Sequence, residues 1–213
     1  MEVIENTFNQ IMQTALHDKS GWELTAVTLG LTYLILIIRQ NIWAWLCAFI
    51  STAIYIKLFW HVSLFMESML NVYYLIMAGY GYWTWSKNSR SLKTELNTIP
   101  IVRWSYKTHI IAISTVIAIS MLSGFVLIHF TNAAWPFWDS ITTWGSVLTT
   151  YMVAKKVLEN WFYWLVIDTI SIVLFVERGF LFTALLYVIY LILVIVGYIK
   201  WNKLFKLQYP ASS

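Results

Sequence analysis

The sequence predicts an all-α integral membrane protein: seven transmembrane helices preceded by a short amphipathic N-terminal helix. Three observations predict it. Apolar runs recur at about 22–38, 41–59, 62–85, 108–130, 137–154, 161–177 and 180–200, each close to the roughly 17–25 residues that a helix needs to cross a bilayer. Only 11% of the 213 residues are charged while 60% are hydrophobic, against about 25% charge in a soluble domain. Three Pro and eight Gly are too few for the many turns of a barrel. Thirteen Trp and thirteen Tyr suit a protein with two membrane interfaces to line. A net charge of +4 fits basic loops and does not call for nucleic acid. The single Cys47 excludes an internal disulfide framework.

The elements follow in order. Residues 1–20 carry Val3, Ile4, Phe8, Ile11, Met12 and Leu16 among polar residues, the spacing of a helix lying on a membrane surface. They lack the basic start of a cleavable signal. The first span brings Glu23 and Tyr33, and the link Arg39-Gln40-Asn41 forces a tight hairpin into the second, which holds Trp43, Trp45, Ser51 and Tyr55. The third aligns Glu67, Asn71, Tyr74, Ala78 and Trp85 on one helical face. Its buried Asn offers two donors and an acceptor, or simply ties helices together. The basic loop 86–107 reads as a topology signal or a lipid contact. The fourth span is the blandest, without charge or Trp. The fifth is rich in hydroxyls, Thr142, Thr143, Ser146, Thr149 and Thr150, with Tyr151 near its end and Asp139 near its start. They line a polar path or pack helices closely.

The sixth span is the informative one. Trp161, Trp164, Asp168 and Ser171 share a face, and Asp168 sits near mid-membrane. A carboxylate at that depth costs roughly 3 kcal/mol or more unless it faces protein, water or a ligand. Flat rings stack on planar ligands and attract cations, so the face suits a flat cationic ligand. The alternative is a structural Asp bonded to a neighbouring helix. The seventh span has no Lys before Lys200, so a mid-helix retinal Schiff base is excluded. No Gly-rich phosphate loop, no paired His metal motif and no G-x-S-x-G occurs. An enzyme, a cofactor and a metal are therefore not expected.

With seven spans, Lys19, Lys57 and Arg178 fall on one side and the other 11 of the 14 basic residues on the other. The second side should be cytoplasmic, with the N-terminus outside and the C-terminus inside. An internal repeat is also visible. Gly81-Tyr82-x-x-Trp85-x-Lys87 matches Gly197-Tyr198-x-x-Trp201-x-Lys203 at an offset of 116, and Asn41-x-x-x-Trp45-Leu46 matches Asn160-x-x-x-Trp164-Leu165 at 119. A weaker match sets Thr28-Leu29-Gly30 against Thr143-Trp144-Gly145. Two triplets running the same way need one extra crossing between them. The expected organisation is repeat one at 22–87, a linker helix at 108–130 and repeat two at 137–203, within one transmembrane domain at 21–203, followed by a tail at 204–213. Parallel-repeat carriers bind substrate between the repeats near the midplane. The expected site is Asn71, Trp164 and Asp168, with Glu67, Tyr74, Trp161, Trp45 and Tyr151 close by, between the third and sixth helices.

Pro136-Phe137-Trp138-Asp139-Ser140, the run Lys155-Lys156-x-x-Glu159-Asn160-Trp161-x-x-Trp164, and Tyr80-Gly81-x-x-x-Trp85 resemble the PnuC-type bacterial vitamin transporters over residues 21–203. The resemblance implies a fold similar to SWEET sugar transporters in its three-one-three plan. It also implies facilitated uptake of nicotinamide riboside or thiamine across the inner membrane, trapping by cytoplasmic phosphorylation, and a homo-oligomer, a trimer being one candidate. Asn71 stands where riboside carriers of that family tend to have Gln; this, Glu67 and the Trp43-x-Trp45 pair favour thiamine, while the resemblance itself favours the riboside. A SWEET-like sugar carrier and a seven-helix receptor or sensor are the alternatives. The repeat argues against the receptor, and a buried carboxylate against the sugar.

Overall fold

The computed structural model describes residues 21–61, 65–91, 100–130, 135–177 and 181–209. The expected N-terminal amphipathic helix at 1–20 lies outside them. Among the described residues the chain is seven helices: α1 (Gly21–Ile38), α2 (Trp43–His61), α3 (Phe65–Ser91), α4 (Tyr106–Phe130), α5 (Pro136–Ala154), α6 (Asn160–Glu177) and α7 (Leu181–Gln208). Each falls on a predicted span. Two run further than predicted: α3 continues to Ser91 into the basic loop, and α7 continues to Gln208 into the expected tail.

Three helices are long and apolar enough to span by composition alone: Tyr106–Phe130, Asn160–Glu177 and Ala184–Gln208. Thr25–Ile38 and Trp43–Leu58 are shorter apolar stretches. The other two, α3 and α5, carry the Asn, Tyr, Ser and Thr side chains, and they turn these toward protein. Ser140, Ser146, Thr149 and Thr150 of α5 are all buried, as is Asn71 of α3. A helix that hides its polar face in the bundle need not be uniformly compatible with lipid. At the other extreme α4 leaves Ile110, Ile111, Met121, Leu122 and Phe125 exposed, as lipid contact requires.

Packing repeats itself across the two halves. The ends of α1 and α5 are capped alike. Gln40 N–H bonds the Ile37 carbonyl and Asn41 N–H the Leu36 carbonyl; Lys156 N–H bonds the Val153 carbonyl and Val157 N–H the Met152 carbonyl. This paired pattern, with a left-handed residue after the helix, is the Schellman cap. Glycine usually takes that position, yet here Gln40 and Lys156 both adopt it, each at φ 53°. Beside each cap, an indole of the following helix meets an indole of the next one edge to face. Trp45 and Trp85 stand 5.4 Å apart at 89°, and Trp161 and Trp201 stand 5.3 Å apart at 88°. Gly81 lies against the Trp45 ring and Gly197 against the Trp161 ring, so closely that a Cβ at either would overlap the indole. Each pair of equivalents, Gln40 with Lys156, Trp45 with Trp161, Gly81 with Gly197 and Trp85 with Trp201, is separated by 116 positions. The register of α2 against α6 is therefore 116 and not the expected 119: Trp45 corresponds to Trp161 rather than to Trp164. Aromatic-rich helix ends offer several in-phase matches, and only the packing chooses among them.

The third helix of each half packs on the first helix of the other. Trp85 Nε1 donates to the Ala154 carbonyl and Trp201 Nε1 to the Ile37 carbonyl, both at 3.1 Å. α4 packs on α5. Ser120 donates to the Ser140 carbonyl, and Trp144 Nε1 to Ser123 Oγ. Preceding α4, residues 100–105 lie as a strap on the α5–α6 turn: Val102 N–H bonds the Lys156 carbonyl, Leu158 N–H bonds the Val102 carbonyl, and Ile101 N–H bonds Gln208 Oε1. Part of the segment read as a basic loop for topology or lipid is thus a docked structural element.

Candidate functional site

α6 shows one protein-facing side. Asn160, Trp161, Ile167, Asp168, Ser171 and Leu174 are buried, whereas Phe162, Val166 and Val173 point outward. The face expected from spacing is the face observed. Asp168 is 4% exposed and lies eight residues past the helix start, about 12 Å in at 1.5 Å per residue.

What surrounds that carboxylate is a set of tyrosines. The phenols of Tyr74 on α3 and of Tyr187 and Tyr190 on α7 lie close enough to interact with it electrostatically. Tyr55 of α2 interacts with both α7 tyrosines, and Tyr33 of α1 with Tyr74. The Tyr74 side chain also hydrogen-bonds Ser146 of α5. Tyr187 and Tyr190 stand 5.5 Å apart, and Phe175 backs Tyr187 at 5.2 Å. Tyrosines of α3 and α7 thus meet the α6 carboxylate, and Tyr33, Tyr55 and Ser146 from α1, α2 and α5 reach those tyrosines. Chemically the cluster offers one carboxyl group, several hydroxyls that donate or accept, and ring faces that stack.

The expected site residues divide into groups. Asp168 and Tyr74 are brought together. Asn71 is buried on α3 one turn from Tyr74, and Trp164 is half-buried one turn from Asp168, packed on the core. Trp45 and Trp161 lie elsewhere: each is 1% exposed and wedged between its partner indole and a glycine, as a packing element of the basic end. Tyr151 is exposed and stacks on Tyr80 at 6.4 Å, beside Lys155. The Glu67 and Glu23 side chains lie outside the described residues. The α3 and α6 backbones do not touch among the described residues; α3 packs on α5, and Tyr74 and Asp168 approach across the interior. Most α5 hydroxyls do not line a path: Thr142, Thr149 and Thr150 bond carbonyls of their own helix, the local bonding that Ser and Thr favour. Ser146 is the one that reaches to Tyr74.

Sequence reasoning missed Tyr187 and Tyr190. A signal existed: at an offset of 116, Asn71 maps onto Tyr187 and Tyr74 onto Tyr190. It also missed Lys156, which entered as one of the 11 basic residues on one side. Lys156 is 1% exposed, lies 4.3 Å over the Trp85 ring and donates to Gln40 Oε1 at 2.7 Å. Burial pushes its amine down to about 7. Its neighbour Lys155 shifts upward through a hydrogen bond with Tyr80.

Comparison with known proteins extends the picture. The family model described as the nicotinamide mononucleotide transporter matches residues 20–203. The riboflavin/roseoflavin transporter RibM of Streptomyces davaonensis is 26% identical, covering 81% of this chain and 80% of its own. The nicotinamide riboside transporter PnuC of Escherichia coli is 22% identical, covering 87% and 86%, and that of Neisseria mucosa 24%, covering 86% and 72%. A crystal structure of the vitamin B3 transporter PnuC superimposes with a TM-score of 0.72 at 22% identity, over 92% of this chain and 87% of that one. The shared fold is that of a multi-pass membrane transporter.

Proposed function

Because the chain belongs to the nicotinamide mononucleotide transporter family, and so is a carrier rather than an enzyme, we propose that it takes up a flat cationic vitamin by facilitated diffusion. Nicotinamide riboside and thiamine are the two candidates. Phosphorylation in the cytoplasm then traps the product. One observation carries this reading: Asp168 is a buried carboxylate at mid-helix, ringed by tyrosines. The relatives carry different vitamins, since PnuC is named for nicotinamide riboside and RibM for riboflavin. The family therefore leaves the ligand's charge open, and the charge at the site argues for a cation. Substrate sits with its cationic ring toward Asp168 and Trp164. Tyr74, Tyr187, Tyr190 and Asn71 address its polar groups.

The organisation proposed is one transmembrane domain at 21–203, with parallel repeats at 22–87 and 137–203 and the linker helix with the second. The matched caps, indole pairs and glycines support it. We place the chain in the bacterial inner membrane, N-terminus outside and C-terminus cytoplasmic, on the placement of 11 of 14 basic residues at one end. A homo-oligomer, including a trimer, rests on the family resemblance.

The test is calorimetry on the purified protein with thiamine, nicotinamide riboside and an uncharged isostere of each. Asp168→Asn removes charge at nearly constant shape. It should weaken the cationic vitamin about tenfold or more, a loss of roughly 1.4 kcal/mol, and leave the neutral isostere nearly unchanged. Equal losses for both would make Asp168 structural. Liposomes without an ion gradient should equilibrate the labelled vitamin; strict dependence on a proton or sodium gradient would rule out passive transport.

A further inference from the structure

The basic end of the bundle carries three bonds between the halves that neither the family nor the site explains. Trp85 Nε1 donates to the Ala154 carbonyl, Trp201 Nε1 to the Ile37 carbonyl, and Lys156 Nζ to Gln40 Oε1. The first two are reciprocal, a third-helix indole of each half reaching the last turn of the other half's first helix. The third joins the two residues that occupy the left-handed cap positions. Both acceptors of the indoles lie in a last helical turn, where carbonyls have no obligatory partner within the helix. Such a bond is made or broken without unwinding either helix. Just inside these bonds, Ile37, Trp45, Trp85, Val153, Trp161 and Trp201 form one buried apolar plug drawn from both halves. Asp168 and its tyrosines lie about two helical turns deeper than Trp161, roughly 10 Å. Among the described residues the backbone hydrogen bonds of the strap at 100–105 run to the α5–α6 turn and to Gln208 of α7, while its Ile101 is buried in the same apolar plug.

We propose that this end is a gate, and that the two indole bonds together with the Lys156–Gln40 bond are the latch that holds it shut. The inference rests on the carrier reading: a carrier exposes its site to one side at a time, and the halves part at this end only when these bonds break. Trp85, Trp201, Lys156 and Gln40 act on the site's accessibility and touch no substrate.

The test needs no vitamin. A reporter thiol is placed at Ser146→Cys in a Cys47→Ala background, reconstituted in vesicles of known orientation and challenged with a membrane-impermeant maleimide from each side. Trp85→Phe with Trp201→Phe removes both N–H donors and keeps aromatic volume. Labelling from the basic end should rise about fivefold or more, the factor that one net hydrogen bond carries, with no rise from the opposite side. An unchanged rate, or an equal rise from both sides, overturns the latch. Lys156→Met, which keeps the buried stem, is the second variant if the double one fails to fold; it should raise labelling in the same sense, and an unchanged rate again overturns the proposal. Either failure leaves the carrier reading intact. A chain that neither binds nor moves either vitamin loses the carrier reading, whatever the labelling shows.

Discussion

The two halves of the molecule agree at one end and diverge in the middle. At the basic end residue matches residue across an offset of 116: the left-handed cap, the indole pair and the glycine under the indole each occur twice. At mid-depth the same register sets Thr52 against Asp168 and Asn71 against Tyr187. Thr52 bonds carbonyls of its own helix, Ala48 and Phe49, while Asp168 has tyrosines of α3 and α7 beside it. Packing in this fold is duplicated, and charge is not. Closing two halves against each other requires matching shapes on both. A ligand with one cationic ring requires a single carboxylate, and a second would repel the first at close range.

The strongest way to break the comparison is to fill the space under an indole. Gly81→Val and Gly197→Val should both abolish a folded protein, and Gly81→Ala and Gly197→Ala should each cost about 1–3 kcal/mol, the usual range for overpacking. The measurement is thermal unfolding in detergent. Equal costs at both positions uphold the equivalence; a tolerated substitution in one half refutes it. Pairing Gly81→Ala with Trp45→Leu should recover part of the loss.

A smaller effect sharpens the difference at mid-depth. Tyr187→Ala removes a ring and a hydroxyl beside Asp168 and should weaken vitamin binding about tenfold, or roughly 1–2 kcal/mol. Thr52→Val, at the position equivalent to Asp168, removes a hydroxyl satisfied by its own helix and should change affinity less than about twofold, given the small net worth of such a bond. Calorimetry decides, and a large loss at Thr52 would mean that both halves supply the site.

The smallest effect concerns the two cap residues, of which only Lys156 is titratable. The Lys156 amine, pushed down to about 7 by burial, releases its proton in the folded protein well below the roughly 10.4 of an unfolded lysine. Between those values the unfolded chain binds the proton that the folded one has lost, so this group lets stability rise with pH. Below about pH 7 the fold carries the buried ammonium at full cost. The difference in unfolding temperature between wild type and Lys156→Met should therefore shift toward wild type from pH 7 to about 10. A flat difference would show that the ammonium is solvated.

The sequence by itself determined the spans, the protein-facing side of α6, the mid-depth carboxylate and the existence of a repeat. These are local properties. Hydrophobic run length reports the bilayer, and a 3.6-residue period assigns Asp168, Trp164 and Ser171 to one face whatever that face meets. The tertiary structure decided what met it. Trp161 and Trp164 stand one turn apart on the same face, yet the first is locked between Trp201 and Gly197 while the second is only half-buried against the apolar cluster. Lys156 reads as an ordinary basic residue at a membrane surface until the α1–α2 turn and Trp85, more than 60 positions away, bury it. Tyr187 and Tyr190 read as two aromatics in an apolar helix until packing places them beside Asp168. Spacing along a helix fixes direction only; the partner in that direction comes from contacts between distant segments, which leave no periodic trace in the chain.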